Sequence, residues 1–294
     1  MPSRSRGTAL TILSACLFGL SPLWVTSFAR GGGNSMMMAL LRNLFFLPTG
    51  ILLLRRSGQP VLRRLPAKTV GRILLLSWGG SGLTQLLLFA SYSFMASGIC
   101  TTVHFIYPLF VFLLGALFFH EKPTPRALLC LCLCLAGLFC FYPRGGQISL
   151  AGLALALLSG LTYAFYMVFL DKGGFSGITA LQMQLYVALC NAAMMLVCCL
   201  ASGSLTLQLT PAAWGLAFVA SQVLGLGVVL CQMGIREIGA SRAALLSTFE
   251  PITSLLAGVL LLREHLDPLA LSGAAVILCA VVLFNLPEKH HPGQ

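Results

Sequence analysis

Apolar residues fall in long blocks along this chain, separated by short polar links. Ten blocks qualify as membrane-crossing helices: about 8–28, 35–54, 72–95, 99–119, 126–142, 148–170, 178–201, 212–233, 239–262 and 268–286. The threshold is physical, since crossing the hydrocarbon layer takes roughly 20 apolar residues in a helix that satisfies its own backbone polar groups. The links between blocks are too short to hold a soluble catalytic domain. The first block follows Arg4 and Arg6 but lacks a small-residue cleavage pattern at its far end, so it is expected to be a retained span rather than a signal peptide.

Two of the blocks carry one pattern twice. Residues 104–121 read HFIYPLFVFLLGALFFHE and residues 247–264 read STFEPITSLLAGVLLLRE, so Pro108, Gly115 and Glu121 align with Pro251, Gly258 and Glu264, 143 positions later. A weaker match sets SACLFG at 14–19 against SGLTYA at 159–164. Ten spans divide into five and five, and an odd number per half forces the second half to enter the membrane upside down. The fold class expected is therefore an all-α polytopic membrane protein, with ten transmembrane helices forming two inverted five-helix repeats around a central cavity. The repeats are placed at 1–145 and 146–294. Such halves can exchange conformations and open a shared cavity to either side in turn, which favours a transporter over a channel or an enzyme built on duplicated halves.

Composition sharpens the class. Hydrophobic residues make up 58% of the chain and charged residues 9%, far more apolar surface than a soluble core can bury. The net charge of +11 would suggest nucleic acid in a soluble protein, but its placement points to the bilayer and no nucleic-acid partner is expected. Arg55, Arg56, Arg63, Arg64, Lys68 and Arg72 crowd one link, whereas its repeat counterpart, SGSLTLQLTP at 202–211, has no Lys or Arg. By the positive-inside rule the first link is cytoplasmic and the second faces outward, with both termini cytoplasmic. Lys122, Arg126, Lys172, Arg236, Arg242 and Lys289 then also fall inside, against Arg30, Arg144 and Arg263 outside. All eleven cysteines lie within predicted spans. Cys130, Cys132 and Cys134 step about 200° apart on a helix, so they cannot gather at one metal and are read as packing residues, with no metal site.

The candidate chemistry follows from the repeat. His104, Tyr107, Pro108, Val111 and Gly115 share one helical face, and their mates are Ser247, Glu250, Pro251, Ser254 and Gly258. Pro108 and Pro251 are helix-breaking positions that free the carbonyls of His104 and Ser247, groups tolerated at bilayer depth only against protein or a wet cavity. Glu250 is the most informative residue, because a carboxylate in mid-span is costly and marks a binding site or a proton relay by default. A hydrogen bond to a neighbouring helix, or pairing with a fixed cation, is the competing structural reading. Arg42, beside Asn43 in LLRNLFF, is open to pairing with Glu250, binding a substrate carboxylate, or snorkelling to headgroups. His104 is either a proton carrier or a cross-bundle hydrogen-bonding residue. Trp24, Gln85, Tyr92, Tyr163, Tyr166 and Gln222 offer donors or aromatic walls for the same cavity, although Tyr and Trp also populate interfacial belts. Glu121 and Glu264 end their helices beside cations, as caps or gate latches. The run GGG at 31–33 has no following lysine and is a flexible turn rather than a phosphate loop.

Ten spans in two halves, the LLRN segment in span two, YP and EP in spans four and nine, and the HE and RE helix ends together resemble the EamA-type branch of the drug/metabolite transporter superfamily. The resemblance covers nearly the whole chain. It implies export or import of amino acids and other small metabolites through a cavity between two five-helix halves. It further implies cavity or gating roles for the region of Glu250, Pro251, Tyr107 and Pro108, and a functional or fold role for Arg42. Position 107 is not acidic here, so the halves are chemically unequal. The expectation is a secondary transporter, an exporter of a small organic metabolite such as an amino acid, in the bacterial plasma membrane. Protons are candidate coupling ions, no cofactor is expected, and the state is monomer or homodimer. An intramembrane enzyme acting on a lipid or lipid-linked substrate is the alternative.

Overall fold

A computed structural model describes residues 4–95, 97–140, 149–262 and 268–285. Among these residues seven helices are long and apolar enough to cross a membrane: Arg4–Arg30, Ser35–Arg56, Ala67–Ser91, Ile99–Phe119, Leu150–Lys172, Ala180–Ala201 and Pro211–Ile238. The fifth span, Pro125–Phe139, and the tenth, Pro268–Asn285, are shorter, and the ninth is built from two pieces, Ala240–Leu246 and Phe249–Leu262. The fold is all-α and polytopic, with the ten spans in two repeats. The proposed repeat boundary at 145/146 lies outside the described residues, as do Arg144, Arg263, Glu264, His265 and Lys289.

Helix pairing reveals the symmetry. The first span packs on the eighth and the sixth on the third; the first also packs on the ninth and the sixth on the fourth. The second packs on the seventh, and the fifth on the tenth. Exchanging the two halves maps this set of pairs onto itself, as a two-fold relation between repeats requires. Small residues make the close crossings possible. A Cβ on Gly7 would meet Ile238 at 2.6 Å, and one on Gly137 would meet Ile277 at 2.7 Å.

Internal breaks concentrate in four spans, each just before a proline. The first breaks at Leu20 ahead of Pro22, the second at Phe45 ahead of Pro48, the fourth around Phe105 and Ile106 ahead of Pro108, and the ninth at Ser247 and Thr248 ahead of Pro251. Proline lacks the N–H that would continue the ladder, so the turn before it opens. The third span instead carries a π-helical segment, Leu75–Gly82, with Gly80 outside helical geometry at φ −101°, ψ −105°. Its loosened backbone is held by side chains, with Ser77 Oγ donating to Ile73 O at 2.7 Å and Thr84 Oγ1 to Gly80 O at 3.0 Å. The sixth, seventh and eighth spans run as single helices. The repeat is therefore symmetric in packing but not in where its helices break.

One end of the bundle gathers the basic residues. There Arg6 pairs with Glu237 at 3.5 Å, Arg63 donates to Gly177 O at 3.0 Å, and Arg236 donates to Ile178 O at 2.5 Å. At the opposite end the links after the first and seventh spans meet, through Thr210 N to Gly31 O at 3.2 Å and Asn34 Nδ2 to Ser204 O at 2.8 Å. Cys130 and Cys134 face inward one turn apart while Cys132 points out, the placement expected of helical packing residues.

Candidate functional site

The break in the ninth span presents Glu250. It occupies the first turn of Phe249–Leu262, and its N–H donates to Ser247 O at 3.0 Å, so the carbonyl that Pro251 frees is taken up locally. Gly19 allows the first span to press against this turn, since a Cβ there would stand 2.6 Å from the Glu250 carbonyl. The Glu250 carboxylate interacts electrostatically with Arg42 from the second span, Tyr92 from the third, Tyr107 from the fourth, Tyr163 from the sixth and Cys231 from the eighth. Six spans thus bring polar side chains within electrostatic reach of Glu250.

Arg42 and Glu250 are within electrostatic reach of each other but form no ion pair inside 4.0 Å. Both side chains sit within the bundle and are only partly accessible. The Arg42 backbone is fixed where the second span opens: Ser221 Oγ donates to Arg42 O at 2.7 Å, and Gln222 Nε2 to Phe45 O at 3.1 Å. Tyr163 and Tyr166, one turn apart, stack with centroids 5.9 Å apart at 12°, and Tyr107 meets Tyr163 edge-on at 4.8 Å. The Tyr107 hydroxyl is buried and directed towards Ser247 without a well-formed hydrogen bond. An unpaired buried hydroxyl is costly, and a bound polar molecule would relieve that cost.

Other candidates have structural partners. His104 Nδ1 lies 2.9 Å from Ser159 Oγ, whose own proton goes to Ala156 O at 2.6 Å, so the histidine is the donor of that pair. Its ring contacts Tyr107 and Tyr163 at 5.6 Å, supporting the aromatic wall from behind. Gln85 accepts from Asn43 at 3.3 Å and donates to Ser81 O at 3.1 Å, bridging the second and third spans. Tyr166 Oη accepts from Gln232 at 2.9 Å. Tyr92 shares a 3.3 Å hydroxyl contact with Thr101. Ser247 donates to Ala243 O at 2.9 Å, and Ser254 sits half-buried one turn beyond Glu250. Trp24 packs in a separate apolar cluster with Phe28 and Met37, its indole N–H buried without a partner. Gln222 belongs to the break at Phe45 rather than to the tyrosine wall.

Sequence reasoning missed Ser159, Gln232 and Cys231. Ser159 and Gln232 are ordinary polar residues inside unbroken helices, and only packing shows what they hold. Cys231 differed in no visible way from ten other cysteines, yet it sits against Tyr163 and Ser14, within electrostatic reach of Glu250.

Below the site, towards the basic end, a polar layer joins three corners. Glu121 Oε1 pairs with Lys172 Nζ at 2.8 Å, and Glu121 Oε2 accepts from Ser241 Oγ at 3.1 Å. Lys172 also lies 3.6 Å from Asp171, which accepts from Ala240 N at 3.2 Å. The ends of the fourth and sixth spans are tied in this way to the start of the ninth.

Known proteins resemble this arrangement along its length. The pattern of the EamA-like transporter family matches residues 5–142 and again residues 150–286. A protein of Synechocystis sp. described as an uncharacterized transporter is 28% identical over 278 residues, 88% of this chain and 82% of its own length. A crystal structure superposes with a TM-score of 0.84 at 17% identity, covering 97% of this chain and 99% of the other, and shows a shared fold.

Proposed function

Because this chain belongs to the EamA-like transporter family, we propose that it is a secondary transporter exporting a small organic metabolite across the bacterial inner membrane by alternating access. The observation that carries the proposal is the pair of Arg42 and Glu250, within electrostatic reach of each other yet not closed into an ion pair, close to the packed rings of Tyr107, Tyr163 and Tyr166. A guanidinium and a carboxylate that do not close on each other suit a ligand with both charges, such as an amino acid, each end taking one partner. The tyrosines supply flat apolar faces with polar edges for the rest of the molecule. Glu250 is also the group placed to exchange a proton when the ligand leaves. The repeats related by a two-fold provide the two exchangeable arrangements that alternating access needs.

Counterflow in proteoliposomes tests this reading. Vesicles loaded with unlabelled amino acids, amines or organic acids should accumulate trace labelled substrate saturably, and an imposed pH gradient should raise the rate. Counterflow with no response to the gradient removes proton coupling and leaves an exchanger or uniporter. Flux without saturation or counterflow removes the transporter mechanism, and silence across the panel together with turnover of a lipid-linked substrate establishes the enzyme alternative.

A further inference from the structure

We propose that a cleft at the basic end of the bundle, between the first, fourth, fifth, ninth and tenth spans, binds the phosphodiester headgroup of an anionic phospholipid. The cleft has a volume of about 180 Å³. Among the described residues four cations line it, Arg4, Lys122, Arg126 and Arg242, the last two with further partners of their own, beside one carboxylate, Glu121, which pairs with Lys172 and accepts from Ser241. Lys122 and Arg242 are exposed, and Arg126 is anchored to the wall by its bond to the Leu283 carbonyl. The Thr124 hydroxyl that caps the fifth span adds a polar edge. An excess of positive charge around a small concavity is a site for a phosphate oxyanion.

Position along the membrane normal selects the lipid over a free anion. Every cation sits at a span end or in the short link after the fourth span, the depth of headgroups. Phe112, two turns into the fourth span, and Phe284, in the last turn of the tenth, also line the cleft, so it continues from charged rim to apolar floor. Leu117, Phe118, Leu128 and Leu129 beside it are exposed, as lipid-facing side chains are. A basic pocket between spans on the positive face is the form that anionic headgroup sites take. Ser241 and Glu121 belong both to this cleft and to the polar layer below the central site, so lipid occupancy reaches the tie between the fourth, sixth and ninth spans. The inference rests on the membrane reading and not on the transported substrate.

Native mass spectrometry of the detergent-solubilised protein tests it, with phosphatidylglycerol, phosphatidylcholine and inorganic phosphate offered separately. Wild type should retain phosphatidylglycerol about tenfold better than phosphatidylcholine, and the pair Lys122→Gln with Arg242→Gln should lose that preference. The pair Arg56→Gln with Lys68→Gln removes the same charge from another exposed link and should keep it. Equal loss in both pairs would mean diffuse surface charge and would overturn the site. Absence of any preference in wild type would overturn it as well, and retention of inorganic phosphate in place of lipid would make it a free-anion site. Lys122→Gln alone, a change at an exposed link residue, should give a partial loss with unchanged thermal stability, which separates ligand loss from misfolding.

Discussion

Arg42 and Glu250 are ionisable side chains inside the bundle that do not touch, and ionisable groups at bilayer depth are costly unless they serve a site. Replacing Glu250 with Gln keeps the shape and removes the charge. Counterflow should fall at least about tenfold, in line with loss of a charge-assisted contact, while the protein still purifies as a folded species. His104 offers a contrast. Its Nδ1 proton is committed to Ser159, so the residue acts as a brace for the tyrosine wall, and His104→Gln should leave the pH profile of transport unchanged. A profile that shifts with His104→Gln but not with Glu250→Gln would exchange their roles. The sequence singled out Glu250 because mid-span carboxylates are rare. A cross-bundle hydrogen bond from His104 was one of its two readings, but the partner, Ser159, lies 55 residues away and only packing supplies it.

At the scale of elements, prolines and latches divide the work. Breaks ahead of Pro22, Pro48, Pro108 and Pro251 place non-helical backbone in four spans, and such joints absorb the bending that opens one end of a cavity. The Glu121–Lys172 pair and the Ser241 contact hold the basic end together. Both charged partners are more than one-third exposed, so screening keeps the pair weak. Glu121→Gln should therefore raise access from the basic side by no more than about fivefold. The rate of maleimide labelling at Cys231, located by mass spectrometry after one-sided exposure of vesicles, reads this, because the Cys231 thiol is buried against Tyr163 and reacts only when the bundle opens. Unchanged labelling would reduce the contact to a helix cap. The sequence pointed to Glu121 and its repeat mate Glu264 as caps or latches; only the fold supplied Lys172 and Ser241 as the partners of Glu121.

For the whole molecule, the clustering of Arg6, Arg63, Glu121, Lys172 and Arg236 at one end agrees with a strong charge asymmetry. If that end is cytoplasmic, a fluorescent reporter fused at the C-terminus should mature inside the cell. A phosphatase reporter inserted after Gly203, in the link without Lys or Arg, should be active outside it. The opposite pair of signals would invert the topology. What the sequence determined by itself was the class, the ten spans and the repeat, because apolar length, proline position and Lys/Arg bias are local properties that the bilayer reads one segment at a time. Tertiary structure alone decided which polar residues meet. Gln85 and His104 turned to neighbouring helices and Trp24 to an apolar cluster, while Arg42 and Glu250 came within electrostatic reach of each other without pairing. Helical period can say which residues share a face, but the rotation of each helix about its axis is set by close packing at glycines such as Gly19 and by hydrogen bonds from distant spans, and these exist only once the bundle is assembled.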